Sequence, residues 1–296
     1  MIFLFIFVIN EMKHYKMKRY LCFSLVIMTV LAICLTGCNL TSDVKKTEEV
    51  KIDSIQVEKI YHLLDNPDNP NCNLVIDFNY PVECPDKTVL PILQKQFVVA
   101  YFGDDYAELT PQEAVNKYVE DYITGYKELE EDFKKDIEEN ETPGSWYSYY
   151  EMSQNEVVFN EGGLLSFTVS FENYTGGAHG SHSYTNFTLN TKDGKRITEE
   201  DLFVEDYQDS LAKLLIDEIT KKNNLQDPKG LEDIGYFSVD EIYPNNNFYI
   251  DATGITYTFN EYEIAAYALG QTEVHLSFEQ IMPLLKEGSP VAGMIK

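Results

Sequence analysis

Residues 147–174, YSYYEMSQNEVVFNEGGLLSFTVSFENY, contain the pattern that decides the fold. Residues 147–159 and 164–174 are rich in aromatic side chains and alternate between apolar and polar positions. Alternation of this kind predicts half-buried strands. Glu161, Gly162 and Gly163 lie between the two stretches and predict a tight turn. The sequence therefore predicts an antiparallel β-hairpin.

Shorter strands and amphipathic helices are predicted on both sides of this hairpin. Thr110, Pro111 and Glu113 form a capping-box pattern at the start of the longest helix, residues 110–137. Strands and helices do not alternate as they do in βαβ proteins, so we expect an α+β fold, an antiparallel β-sheet with packed amphipathic helices. The other predicted strands are residues 74–80, 184–190, 248–250, 255–259 and 273–276, and the other predicted helices are residues 89–102, 207–219 and 277–285.

Breaks in composition divide the chain into two sequential subdomains. Pro143 and Gly144 follow the long helix and separate an N-terminal α+β subdomain, residues 52–140, from a C-terminal α+β domain, residues 145–286. The segment 38–51 is polar and charged, which predicts a flexible tether. The last residues, 287–296, form a short tail.

The N-terminal segment predicts export and lipid anchoring. Basic residues between positions 13 and 19 precede an apolar run that ends in Leu35-Thr36-Gly37-Cys38. This order is typical of a secretory signal peptide, and the last four residues resemble a bacterial lipobox. We expect residues 1–37 to be a lipoprotein signal peptide and Cys38 to carry the lipid. The protein would then be anchored in the bacterial cell envelope on the extracytoplasmic side, in the inner or the outer membrane. The alternative is a transmembrane helix, for which the apolar run is short.

The charge of the chain restricts its partners. The formal net charge is −26 at pH 7. Such a charge repels nucleic acid and anionic lipid surfaces, and it accelerates encounter with cations and basic proteins. We therefore expect no nucleic-acid partner. Solubility alone is a sufficient explanation of the charge.

Cysteine usage fits an exported protein. After Cys38, the sequence contains Cys72 and Cys84. An even pair in an oxidising compartment predicts a disulfide, which would stabilise the fold by about 3 kcal/mol.

The most distinctive local pattern is the glycine-rich segment 174–182, YTGGAHGSH. Gly176 and Gly177 permit a sharp bend, and His179 and His182 are imidazoles that could bind a metal ion, move protons or contact a partner. A metal site would need a third ligand, for which Glu263 or His275 are candidates. The alternative is a structural hairpin in which the glycines are a steric necessity.

A second segment, residues 260–270, combines carboxylates, small residues and tyrosines, among them Glu263 and Tyr267. Glu263 could form an acid–base pair with His179, or it could accept hydrogen bonds from loop amides. The acidic residues 199–201 lie at a predicted helix start, where they stabilise the helix dipole. No nucleophile elbow, P-loop, HExxH or dinucleotide fingerprint occurs in the sequence after Cys38. We therefore name no catalytic residue, no metal and no cofactor.

Both segments carry a family resemblance. The phrases YTGGAHG at 174–180, FTL at 187–189, GKRIT at 194–198 and DLF at 201–203 resemble the RsiV-like C-terminal domain, as does GITYTFNEYEIAAYALG at 254–270. The resemblance extends over roughly residues 146–285. Residues 55–137 resemble, more weakly, the domain that usually precedes it. Ala266 stands where the family often has proline.

The resemblance implies a small α+β sheet and a role in the cell envelope. Family members include lysozyme-binding anti-sigma factors, the N-terminal part of some peptidoglycan deacetylases, and lipoproteins. We expect a non-catalytic binding module for a cationic protein such as lysozyme, or for a cell-wall glycan. The candidate binding residues are Tyr174, Gly176, Gly177, His179, His182, Glu263 and Tyr267. The alternatives are a peptidoglycan hydrolase or deacetylase that uses His179, His182 and Glu263, and a structural envelope protein.

Overall fold

The larger of two β-sheets contains the predicted hairpin. The computed structural model describes residues 49–139 and 145–295. Five strands pair in the order β1-β2-β3-β4-β5, and all neighbours are antiparallel except β2 and β3, which are parallel. Gly162 and Gly163 form the β3–β4 turn with φ angles of 65° and 86°, which confirms the predicted hairpin. The strands of this sheet are β1 Lys51–His62, β2 Asn71–Glu83, β3 Tyr149–Glu161, β4 Leu164–Tyr174 and β5 Ser181–Asn190.

Strand β1 was not predicted, and the predicted tether ends earlier than expected. Val50 is 3% exposed, and its backbone N–H donates to the Asn160 side chain at 3.0 Å. Strand β1 then begins at Lys51. Ile52, Ile55 and Val57 pack against the core, and most other positions of this edge strand are polar, so its apolar alternation is short. The tether predicted for residues 38–51 is therefore wrong at its C-terminal end.

Helices cover one face of the large sheet. Helix α1, Leu90–Phe102, places Phe97 against Phe167 of β4 with ring centroids 3.9 Å apart. Burial of such a side chain contributes about 2–3 kcal/mol to stability. Helix α2, Pro111–Lys127, begins with the predicted capping box. The core between helices and sheet includes Leu74, Ile76, Phe78, Leu93, Phe97, Val98, Val115, Leu165, Phe167 and Leu189.

The long helix predicted for residues 110–137 is two helices. Helix α2 ends at Lys127, and helix α3, Glu130–Glu139, follows after a short turn. Phe133 of α3 is fully buried and packs edge-on against Tyr147, with ring centroids 5.2 Å apart. This contact anchors α3 to the segment before β3. The apolar positions that predicted one long helix therefore belong to two successive helices.

The C-terminal part of the chain forms a second, three-stranded antiparallel sheet in the order β6-β7-β8. Its core includes Leu211, Leu215, Ile219, Phe248, Tyr257, Phe259 and Leu276. Hydrogen bonds connect it to the large sheet: Ser166 Oγ donates to Ile250 O at 2.6 Å, and Asn186 Nδ2 donates to Thr258 Oγ1 at 2.8 Å. The elements are α4 Glu199–Leu202, α5 Gln208–Lys222, α6 Gly230–Asp233, β6 Phe248–Ile250, β7 Gly254–Phe259, β8 Thr272–Ser277 and α7 Phe278–Ile281.

The large sheet extends across the predicted domain boundary. Strand β2 lies before residues 140–145 and pairs with β3, which lies after them, from Cys72↔Tyr149 to Asp77↔Gln154. The hairpin predicted to start the C-terminal domain therefore completes the N-terminal sheet. Residues 47–296 form one compact unit, and the change from the first sheet to the second comes after β5.

The predicted Cys72–Cys84 disulfide is absent, because the two thiols lie at opposite ends of β2. A strand rises about 3.3 Å per residue, which separates the two Cα atoms by about 40 Å, whereas a disulfide needs less than about 7 Å. Both cysteines are free and buried. Burial raises the pKa of both thiols.

The predicted signal peptide and lipidated Cys38 lie outside the described residues. Within the described ranges, no helix combines the length and apolar character that a membrane crossing requires.

Candidate ligand-binding site

The glycine-rich loop joins β4 to β5 and has a backbone that requires glycine. Gly176 has a φ angle of 86°, and a Cβ atom there would lie 2.9 Å from the carbonyl oxygen of Trp146. Gly177 has a φ angle of 115°. Tyr174 Oη donates to the Gly177 carbonyl at 2.9 Å and closes the loop. The steric role predicted for the glycines is therefore confirmed at Gly176.

An aromatic stack brings the two predicted segments together. The His179 ring lies on the Tyr267 ring, with centroids 4.1 Å apart and planes 25° apart. Tyr262 extends the stack, with centroids 5.5 Å from Tyr267, and is 56% exposed. Tyr267 Oη donates to the Gly180 carbonyl at 3.2 Å, which fixes the stack to the loop. The result is a row of three rings in which His179 and Tyr262 are exposed and Tyr267 is half-buried.

His182 lies between two carboxylates beside this stack. Its Nδ1 atom is 3.1 Å from Glu261 Oε1, and its Nε2 atom is 3.7 Å from Glu172 Oε1. Tyr150 Oη donates to Glu172 Oε1 at 3.0 Å. The side chain of Glu261 is 13% exposed and that of Glu172 is 37% exposed. The site therefore presents negative charge next to the aromatic row.

Glu263 does not take part in this cluster. Its Oε2 atom accepts from the Asn260 backbone N–H at 2.8 Å, and its Oε1 atom accepts from Asn245 Nδ2 at 2.6 Å. Tyr262 has a left-handed φ angle of 65°, and this reversal directs the side chains of Glu261 and Glu263 to different neighbours. The predicted hydrogen bonds from loop amides to Glu263 are present, while the hypothetical pair with His179 is not.

Sequence reasoning missed Glu172, Glu261 and Tyr262. Glu172 pairs directly with His182 in the β4–β5 register, so the predicted hairpin could have identified it. Glu261 and Tyr262 reach the site through tertiary packing, and no local pattern in the sequence indicates it.

The carboxylates affect the two phenols of the site. Burial and the hydrogen bond to Glu172 raise the pKa of Tyr150. Burial and the nearby Glu261 carboxylate raise the pKa of Tyr267. Both hydroxyl groups therefore remain protonated hydrogen-bond donors at neutral pH.

The open face of the large sheet forms a shallow groove next to His182, with a volume of about 280 Å³. Its lining mixes polar and apolar side chains, and includes Val75, Asp77, Met152, Gln154, Glu172 and Tyr184. The rings, carboxylates and groove together can hold a ligand that offers both apolar faces and positive charge or hydroxyl groups.

Among the described residues, the site contains neither a serine activated by His182 nor a group of metal ligands. Ser181 Oγ donates to Asn173 Oδ1 at 2.6 Å and is therefore not activated by His182. His275, a possible third metal ligand, lies against Thr253 and Thr256 at 3.3 and 3.0 Å. Within residues 49–139 and 145–295, no three His, Cys, Asp or Glu side chains are grouped as metal ligands.

Comparison with known proteins places this site in a family. The model of a protein of unknown function, DUF3298, matches residues 200–279, and the model of the deacetylase PdaC matches residues 72–182. A DUF3298 family member from Bacteroides fragilis, known from its crystal structure, is 33% identical, with a TM-score of 0.80 over 85% of this chain and 99% of that one. The chain belongs to the DUF3298 family.

A second DUF3298 family protein, from Pseudomonas aeruginosa, shares the fold at 15% identity. Its TM-score is 0.53, and the match covers 81% of this chain and 96% of that one. A comparison with curated proteins gave no match.

Both matched segments of this DUF3298 protein contribute to the candidate site. The PdaC match contains the glycine-rich loop and ends at His182. The DUF3298 match contains Glu261, Tyr262 and Tyr267. The site therefore lies where the two matched segments meet.

Proposed function

We propose that this DUF3298 protein is a lipid-anchored, extracytoplasmic protein of the cell envelope that binds a ligand without chemically changing it. The ligand is a cationic protein such as lysozyme. The signal-peptide and lipobox patterns support the location. The resemblance to the RsiV-like C-terminal domain, whose members include lysozyme-binding proteins, supports the class of ligand.

The observation that carries this proposal is the surface row of His179, Tyr267 and Tyr262 beside the carboxylates of Glu172 and Glu261. Tyrosine is enriched among the few residues that carry most of the binding energy at protein interfaces. Carboxylates at their edge attract lysine and arginine side chains, and a net charge of −26 accelerates the encounter with a basic protein.

Calorimetric titration with hen egg-white lysozyme tests the proposal. The protein is the compact unit 47–296, and the variant combines His179→Ala and Tyr267→Ala. We expect binding at physiological salt and a loss of about 30-fold in the variant, the size of a strong interface contact. A matched control combines His275→Ala and Tyr243→Ala, which removes an exposed histidine and an exposed tyrosine elsewhere. Equal losses in both variants would count against the site.

A second candidate function is peptidoglycan deacetylation, which the PdaC match over residues 72–182 favours. In that case His182 would act as the base, with Glu172 or Glu261 to orient it. Purified protein would then release acetate from muropeptides, and His182→Ala would abolish the release. No acetate from the unmodified protein would remove this candidate.

A further inference from the structure

A pocket walled by tyrosines lies away from the His179–Tyr267 stack. It has a volume of about 320 Å³ and lies mainly along helix α2, between that helix and the start of β3. Thr175 of the glycine-rich loop forms part of its edge. Four aromatic rings line it, those of Tyr118, Tyr122, Tyr126 and Tyr149.

The spacing of these tyrosines in the sequence explains why their rings line one pocket. Tyr118, Tyr122 and Tyr126 follow one another at intervals of one helical turn and so lie on one face of α2. Tyr149 faces them from β3, with its ring centroid 5.3 Å from that of Tyr126. Gly125 leaves the entrance open, because a Cβ atom at that position would have no neighbour within 4 Å.

Negative charge lies behind and around the rings. Tyr118 Oη donates to the carboxylate of Glu151 at 2.6 Å, and Glu151 is only 5% exposed. The donor of this hydrogen bond is a neutral phenol. Among the described residues, no basic side chain forms an ion pair with Glu151. Burial raises the pKa of this carboxyl group to about 7, so it is partly ionised at neutral pH, and a cation bound in front of the rings favours its charged form.

The buried phenol oxygen of Tyr122 is a second unsatisfied group. It has no hydrogen-bond partner in the described part of the chain. Burial and the nearby Glu151 carboxylate raise the pKa of Tyr122. An electronegative wall of ring faces with an open acceptor behind it is complementary to a positive charge.

Acidic residues around the pocket also attract a positively charged ligand. Helix α3, next to the pocket, carries six acidic and two basic residues. The nearby basic side chains have other partners: Lys117 is paired with Asp121, and Lys127 lies over the ring of Tyr61 at 4.5 Å. Neither of these two lysines fills the pocket, which leaves it open to a cation from another molecule.

We propose that this tyrosine pocket binds an arginine side chain that a basic partner protein presents. A planar guanidinium stacks on ring faces and donates in several directions, which an ammonium does less well. The pocket gives the partner a second point of attachment beside the glycine-rich loop. In this respect the inference rests on the proposed function.

The test uses a small probe, so that the pocket is measured separately from the whole partner. N-acetyl-arginine methylamide is titrated into the 47–296 unit with ¹³C-labelled tyrosine rings, and N-acetyl-citrulline methylamide is the uncharged control of the same shape. We expect shifts of the four pocket tyrosines, with the arginine probe binding at least about tenfold more tightly than the citrulline probe. Equal binding of the two probes overturns the proposal.

Two variants at Gly125 locate the binding without damage to the fold. Gly125→Leu places a side chain across the entrance at a helical position that leucine favours, so the protein stays folded. Gly125→Ala improves the helix in the same way but fills little of the pocket. We expect Leu to weaken binding of the arginine probe at least about tenfold, and Ala to change it less than about twofold. Unchanged binding in Gly125→Leu also overturns the proposal.

The two proposals fail separately. Arginine-probe binding without lysozyme binding leaves the pocket in place and removes lysozyme as the ligand. Lysozyme binding that depends on His179 and Tyr267, with no probe binding, keeps the proposed function and removes the pocket.

Discussion

The imidazole Nδ1 of His182 lies 3.1 Å from the carboxylate of Glu261, although the two residues are 79 positions apart in the chain. This contact joins the strand after the glycine-rich loop to the turn that carries Tyr262 and Tyr267. The aromatic row and the carboxylates therefore form one surface only in the folded protein, and the contact is open to direct measurement.

A double-mutant cycle on His182→Ala and Glu261→Ala is expected to give a coupling energy of about 0.5–1 kcal/mol, because both groups are partly buried and in hydrogen-bond contact. The measurement is the free energy of unfolding in urea for each variant. The exposed pair Lys135 and Asp132 is the control, for which we expect a coupling of less than about 0.5 kcal/mol. Equal couplings would show that the site contact has no special strength.

Glu151 should make stability depend on pH. Burial raises the pKa of Glu151 from 4.5 to about 7. As the pH rises through this interval, the unfolded chain loses the proton while the folded protein keeps it, so folding becomes less favourable. The loss is complete above about pH 7 and amounts to at most about 3 kcal/mol.

Urea unfolding of the Glu151→Gln variant between about pH 5 and about pH 8 measures this effect. We expect the variant to gain stability relative to the unmodified protein as the pH rises, since glutamine cannot ionise. Glu156→Gln, an exposed position on the same strand, is expected to give a constant difference. Parallel profiles for Glu151→Gln and the unmodified protein would contradict the prediction.

Glu199 should be a strong stability determinant although it lies at a helix start. It is 2% exposed, accepts from the Asn246 backbone N–H at 2.8 Å and accepts from Tyr207 Oη at 2.7 Å. Glu199→Ala leaves the buried Tyr207 hydroxyl without its partner, removes the acceptor of the Asn246 N–H, and is expected to cost about 2–4 kcal/mol. Glu200→Ala, at the exposed neighbouring position, should cost less than about 0.5 kcal/mol. Similar midpoints of urea unfolding for the two variants would argue against this role.

Cys72 and Cys84 should remain reduced when the protein is purified without reductant. We expect two reactive thiols per chain when the 47–296 unit is unfolded without reductant, and the same unfolding temperature with and without reductant. If both thiols are protected in the unfolded chain and reductant removes the protection, a disulfide is present. That result would contradict the placement of the two residues at opposite ends of β2.

Local patterns in the sequence predict the helices and strands of this fold better than they predict which residues come into contact over long distances in the chain. The β3–β4 hairpin and the capping box at Thr110 depend on neighbouring residues, and both are confirmed. Strand β1 has only a short apolar alternation because it lies at the sheet edge, and it was not predicted. The long β2 strand separates Cys72 from Cys84, which cysteine counting could not detect.

The same limit applies to the candidate site, where single residues were predicted but not all of their contacts. His179 and Tyr267 were predicted separately and are found in contact. Glu172 follows from the register of the predicted hairpin. Glu261 and Glu263 differ by two positions, and only the left-handed backbone at Tyr262 decides which of them reaches His182. Such a reversal depends on tertiary packing, so the sequence did not indicate that Glu261 is the glutamate in contact with His182.

The measurement that tests the central claim most directly is the salt dependence of lysozyme binding to the 47–296 unit and to its His179→Ala/Tyr267→Ala variant. If the aromatic row is the binding surface, the unmodified protein binds at low and at physiological salt, and the variant is weaker by a similar factor at both. Binding that disappears at physiological salt and is unaffected by the variant would be general charge attraction, and it would contradict the account.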